Sequence, residues 1–216
     1  MAGELLAFEV ILFGYLLGSI PPSYIIGKIF FKVDIRKEGS GNAGGANSAR
    51  LFGQKVGLLV GFFDLIKGTF AVLIAKEFYT NSGAETGFFA NSNNIIALAG
   101  FAAVVGHCFS LFLKFSGGKG GATTMGMVLG IDPVSFVILM IFWIIIVGTT
   151  RFTSLGNLLG FGVIPLLFAF RTDDAVFEYA GIAIIVLIYY KHRDNIGRLF
   201  RGEERKFGQK ETISKT

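Results

Sequence analysis

The sequence predicts an all-α integral membrane protein of about seven transmembrane helices, with the amino terminus outside and the carboxy terminus cytoplasmic. Of its 216 residues 52% are hydrophobic and 16% charged, and the mean hydropathy is +0.63. That is more apolar than a soluble domain allows. The apolar runs are continuous, where a membrane barrel would alternate, so the spans are helices. Polar residues gather in three islands that the charge pattern puts on one side of the membrane. Each crossing takes ~20 residues, so the chain is nearly all span. It is read as a single membrane domain, 1–216, in which 207–216 form a mobile polar tail.

The first span runs from Leu5 to Phe31. It carries Glu4 where a signal peptide would be basic and no small-residue cleavage site follows, so it is expected to be retained, with a kink at Pro21 and Pro22. Further spans are placed at Val56 to Phe78, Asn94 to Phe115, Gly121 to Ile131, Val134 to Gly148, Leu155 to Phe170 and Ala175 to Tyr190. The fourth of these gives only ~16 Å of helix, which suits a re-entrant segment enclosed by protein. One side collects Lys32, Arg36, Lys37, Arg50, Lys55, Lys114, Lys119, Arg151 and the tail from Lys191 to Lys215. The other has mainly Lys76, Glu77, Glu85, Asp132, Arg171, Asp173 and Asp174, and the positive-inside bias makes the first side cytoplasmic. The lone Cys108 excludes an internal disulfide, and neither a metal nor a cofactor is expected. The net charge of +5 is explained by this distribution without nucleic acid.

The first island, Val33 to Arg50, is a glycine- and amide-rich polar loop. Ser40, Asn42 and Asn47 offer hydroxyl and amide groups, and Arg50 can clamp a phosphate through two N–H groups at once. The second, SGGKGG from Ser116 to Gly121, sets Lys119 among glycines whose amides can share an anion's charge, with Thr123 and Thr124 at the start of a helix. It is not a nucleotide-binding P-loop, because Gly120 follows the lysine and no strand precedes it. In the third, His192, Asn195 and Arg198 share one face if the last span continues as helix. His192 is either a base or a hydrogen-bond donor.

Outside the islands, Asp64 and Lys67 lie three apart within a span, where each alone would be costly, and are expected to pair or to meet a buried anion. Arg151 and Ser154 at the cytoplasmic edge could complete the pocket. His107 and Cys108 are adjacent on a helix and so point apart, which disfavours thiol catalysis.

Taken together the islands resemble the PlsY family of bacterial membrane acyl-phosphate:glycerol-3-phosphate acyltransferases. The resemblance rests on GSGNAGGAN at Gly39 to Asn47, GHCFSLFLKFSGGKGGAT at Gly106 to Thr123 and HRDNIGRLFRGEE at His192 to Glu204. Departures are Gly45 and Ala46 for Ala and Thr, Ser110 for Pro, Ser116 for Lys, Gly121 for Val and Asp194 for Glu. The resemblance implies acyl transfer from acyl-phosphate to the 1-hydroxyl of sn-glycerol-3-phosphate, the first acylation in bacterial phospholipid synthesis. It implies a multi-pass protein of the bacterial inner membrane with a cytoplasmic site, membrane lipids around it and a functional link to the enzyme that makes acyl-phosphate. It also implies a core of Ser40, Arg50, Lys119, His192 and Asn195, supported by Asn42, Gly117, Gly118, Ser154 and Glu204.

The residues suit that chemistry. Two phosphorylated substrates need cations and N–H donors more than a strong base, and an acyl-phosphate is already activated, so positioning supplies much of the rate. Direct transfer is expected, with no acylated side chain and a substrate phosphate accepting the hydroxyl proton. No His-x4-Asp pair is present, since Phe112 and Gly197 stand five beyond the two histidines. The alternative from another class is an organic-phosphate transporter, and a third is a lipid-binding subunit without activity.

Overall fold

The computed structural model describes residues 2–80, 91–211 and 213. Among them all regular structure is helical, as the continuous apolar runs require. The expected positions of Glu85 and Lys215 lie outside the described residues.

The first apolar run divides into α1 (Ala2–Ser19) and α2 (Pro22–Phe30). Pro21 and Pro22 lack N–H groups, so the ladder breaks there, as expected. The carbonyl of Ile20 at the break accepts from Lys67 Nζ at 2.9 Å. After a 3-10 turn at Ile35–Lys37, α3 spans Gly45–Phe52, within what the sequence suggested was loop. Its composition is poor for a helix, but Gly45 sits so close to Gly57 that an added Cβ would lie 2.9 Å from the Gly57 carbonyl. Tertiary packing holds it. α4 (Gln54–Thr80), α5 (Ser92–Cys108), α6 (Gly121–Ile131), α7 (Pro133–Thr150), α8 (Thr153–Gly162), α9 (Ile164–Arg171), α10 (Ala175–Lys191) and α11 (Arg193–Phe200) complete the chain.

By length and apolarity, five described segments can cross a membrane, or six if α10 with α11 is counted as one broken span. α6, with 11 residues, is short for a crossing. The helices pack closely where glycine lets one backbone approach the other. A Cβ on Gly18 of α1 would fall 2.0 Å from the Ala103 carbonyl of α5, and one on Gly126 of α6 would fall 1.9 Å from the Leu65 carbonyl of α4. The core lies among these helices, with Val72, Ile95, Val104, Met127, Ile184 and Ile188 fully buried. Phe8, Phe62, Phe78, Ile141, Ile145 and Phe170 remain exposed around the outside, more apolar surface than water tolerates and what a bilayer covers.

The polar groups separate to the two ends. At one, Asp132 pairs with Arg171 at 2.7 Å, and Asp174 accepts from Asn91 and Asn93. At the other, the three islands meet.

Candidate active site

The islands enclose a cavity of about 390 Å³. Ser40, Asn42, Asn47, Arg50, Lys119, Ser154, His192, Asn195 and Glu204 all line it, whereas Gly117 and Gly118 do not.

The first loop is organised by Asn47, which is 0% exposed. Its Oδ1 accepts from Ser40 N at 3.0 Å, and its Nδ2 donates to the carbonyls of Ile35 and Glu38 at 3.3 and 3.1 Å. Every bond the amide can offer along these directions serves the loop, so Asn47 sets where Ser40 stands. One turn later on α3, Arg50 is only 8% exposed and its Nε has no partner among the described residues. Burial works against its charge, and Glu211 nearby works for it. A buried guanidinium with an idle donor facing a cavity is suited to an anion.

The second loop follows α5 through a 3-10 turn at Leu111–Leu113. Ser110, standing where the PlsY pattern has proline, donates its hydroxyl to the Ser19 carbonyl. Gly118 N donates to the His107 carbonyl at 2.9 Å, and a Cβ on Gly118 would meet His107 Nε2 at 2.1 Å. The glycines thus let the loop lie flat on His107, which also lines the cavity. Gly121 and Ala122 line it too, so the amino end of α6, where helix N–H groups lack partners, opens on to it. Burial pulls the Lys119 ammonium down to about 8, with Arg198 adding to the effect and Glu204 opposing it.

The third island does not continue α10. The chain turns by 62° at His192 before α11 begins. His192, Asn195 and Arg198 nevertheless all face the cavity. Lys119 Nζ donates to Asn195 Oδ1, and Asn195 Nδ2 donates to Glu204 Oε1 at 2.6 Å. Ser154 Oγ reaches the same oxygen at 2.8 Å, while Arg198 Nε takes Oε2 at 2.8 Å. Glu204 therefore joins all of these groups from its buried position. Arg151 does not line the cavity and instead donates to the Phe207 carbonyl at 2.9 Å. Phe207 lines the cavity, and Glu211 N donates to the Arg50 carbonyl at 3.2 Å.

In the cavity wall Asp64 binds Lys67 at 2.8 Å and His107 Nδ1 at 3.2 Å. Of the alternatives for this pair, the structure shows the mutual one. Cys108 is buried in the core beside it.

Sequence reasoning missed two residues that line the cavity, Trp143 and Asn157, which bond at 2.9 Å through the indole N–H and the amide oxygen. The available signal was an amide one helical turn beyond Ser154 in an apolar run. An apolar stretch of the wall is formed by Leu58, Phe62, Leu65, Met125 and Met140.

Residues 8–202 match the family described as glycerol-3-phosphate acyltransferase. The chain is 38% identical to a glycerol-3-phosphate acyltransferase of Chlorobaculum tepidum, over 93% of this chain and 97% of that one. It is 35% identical to that of Staphylococcus aureus strain Newman, over 91% and 96%. Two crystal structures of PlsY, an integral membrane glycerol 3-phosphate acyltransferase, are also similar. The glycerol 3-phosphate form has a TM-score of 0.83 at 35% identity, covering 94% of this chain and 96% of that one. The lysophosphatidic acid form has a TM-score of 0.80 at 34% identity, covering 94% and 95%.

Proposed function

The chain belongs to the glycerol-3-phosphate acyltransferase family, and from that premise we propose that it transfers a fatty acyl group from acyl-phosphate to the 1-hydroxyl of sn-glycerol-3-phosphate, giving lysophosphatidic acid and phosphate. The observation that carries this reading is the make-up of the cavity. Its polar end has buried Arg50 and half-buried Lys119, and its apolar wall has Leu58, Phe62, Leu65 and Met140. A phosphorylated headgroup and an acyl chain together need both.

In this reading Arg50, Lys119 and the amino end of α6 hold the phosphates, which places the glycerol hydroxyl against the acyl carbonyl. The hydroxyl oxygen bonds to the carbonyl carbon, the bond from that carbon to the phosphate oxygen breaks, and phosphate leaves with the electron pair. The hydroxyl proton passes to a phosphate oxygen. No side chain is acylated, in keeping with Cys108 being buried and away from the cavity lining. Ser40 and Asn42 contact the headgroup, His192 accepts from the hydroxyl, and Asn195 steadies Lys119. Asn47, Ser154 and Glu204 keep these groups in place, and Gly117 and Gly118 shape the loop that presents Lys119.

The site is assigned to the cytoplasmic face of a bacterial inner membrane, with an odd number of crossings, on the excess of Lys and Arg in the segments around it. Mixing the purified protein with labelled glycerol-3-phosphate and either acyl-phosphate or acyl-CoA tests the donor. Labelled lysophosphatidic acid from acyl-phosphate alone is the expected result, and product from acyl-CoA alone would replace it. In proteoliposomes, product without flux of glycerol-3-phosphate separates an enzyme from an organic-phosphate carrier.

A further inference from the structure

Asn157 stands on α8 between Trp143 of α7 and His192 at the end of α10. The indole N–H of Trp143 can only donate, so the atom it meets at 2.9 Å is the amide oxygen of Asn157. The amide NH₂ must then face the other way, where it lies 3.4 Å from His192 Nε2. An NH₂ group only donates, so Nε2 carries a lone pair. The opposite ring nitrogen agrees with this. Nδ1 lies 2.9 Å from the Ile188 carbonyl, which only accepts, so Nδ1 carries the proton. Gly121 leaves room for this arrangement, since a Cβ there would fall 2.8 Å from Asn157 Nδ2.

A single bond from Nδ1 fixes one edge of the imidazole but leaves its tilt open. The contact from Asn157 supplies the second point and sets the ring plane. At 3.4 Å it is long, so it yields easily to a shorter bond from a hydroxyl.

We propose that Asn157, oriented by Trp143, is a positioning residue for acyl transfer that keeps the Nε2 lone pair of His192 turned to the cavity, where the acceptor hydroxyl of the substrate takes its place. The inference rests on the acyltransferase reading for its chemistry, but not for its geometry. The charged groups closest in effect on the ring are Lys119 from the second loop, Glu204 from the chain after α11, and Lys191 beside it.

The chain has only two histidines, so ¹⁵N-histidine labelling gives a spectrum in which a His192→Gln variant identifies the His192 signals. In the wild type at neutral pH, Nδ1 is protonated and Nε2 is bare. Asn157→Asp offers Nε2 only acceptors, so His192 becomes protonated on both nitrogens. kcat then falls about a hundredfold, the scale of a misplaced group, with KM for glycerol-3-phosphate changed less than about threefold. Trp143→Phe frees the amide and lowers kcat about tenfold while the protein stays folded. His192 signals and kcat unaltered in both Asn157→Asp and Asn157→Ala would overturn the proposal. So would a rise in KM alone with the ring signals unaltered, which would make Asn157 a direct substrate ligand. Wild-type protein without turnover would count against the acyltransferase reading, and the ring signals would still decide this one.

Discussion

Asn195 and Glu204, nine residues apart in the chain, meet through a 2.6 Å hydrogen bond that ties the two ends of the third island together. The same carboxylate accepts from Ser154 and Arg198, and Asn195 in turn receives Lys119. Removing it strands the buried donors of Ser154 and Asn195 and leaves the half-buried Arg198 without its carboxylate, at a cost of about 3 kcal/mol. Glu204→Ala is therefore expected to lower the unfolding midpoint in detergent and to reduce kcat/KM about a hundredfold. Glu204→Gln should fall between, because its amide oxygen still serves Asn195 while its NH₂ opposes Arg198. Wild-type turnover in Glu204→Ala would rule out this role.

Lys119 gives the site a pH limit. Burial lowers its ammonium to about 8 from the ordinary 10.5, so the cation is present below that pH and lost as pH rises through it. KM for glycerol-3-phosphate should climb between pH 7 and 9, while kcat changes less. Lys119→Arg, whose charge persists, should flatten that climb, and steady-state kinetics across the range reads both.

Arg50 lines the cavity with an Nε that has no partner among the described residues. A lysine there keeps the charge but not the fork that meets two phosphate oxygens. Arg50→Lys is expected to raise KM for glycerol-3-phosphate at least about tenfold without changing the unfolding midpoint by more than a few degrees. Isothermal titration with glycerol-3-phosphate checks the binding part directly.

Asp64 is 2% exposed and Lys67 5%, and each depends on the other. Asp64→Asn leaves a buried ammonium unpaired and should destabilise the protein by about 3–5 kcal/mol. Replacing both, as Asp64→Leu with Lys67→Met, should recover much of that loss, because a buried pair and a packed apolar pair differ little. Thermal unfolding of the purified variants distinguishes the two outcomes.

How much of this could be read from the residues differs between features. The all-helical membrane fold and the proline break were legible, because continuous apolar runs and the loss of two N–H groups leave few alternatives. The polar residues that line the cavity were legible as three clusters of glycine, amide and cation, and the Asp64–Lys67 pair from its spacing inside a span. The helical state of Gly45–Phe52 was not, since it depends on a glycine-to-glycine approach to α4 that local propensity opposes. The turn at His192 was equally hidden, as neither proline nor glycine marks it. Asn157 carried only the weak signal of one amide among apolar neighbours, and its meaning lies in Trp143 and His192, distant in sequence.

The described tail has a practical bearing on how the protein is handled. Residues 203–211 follow the end of the family match at 202, yet Phe207 borders the cavity and Glu211 touches the backbone of Arg50. An affinity tag or fluorescent reporter fused directly behind residue 211 would start beside the cavity wall. Attaching such a label ahead of α1, none of whose residues lines the cavity, keeps it away from that wall.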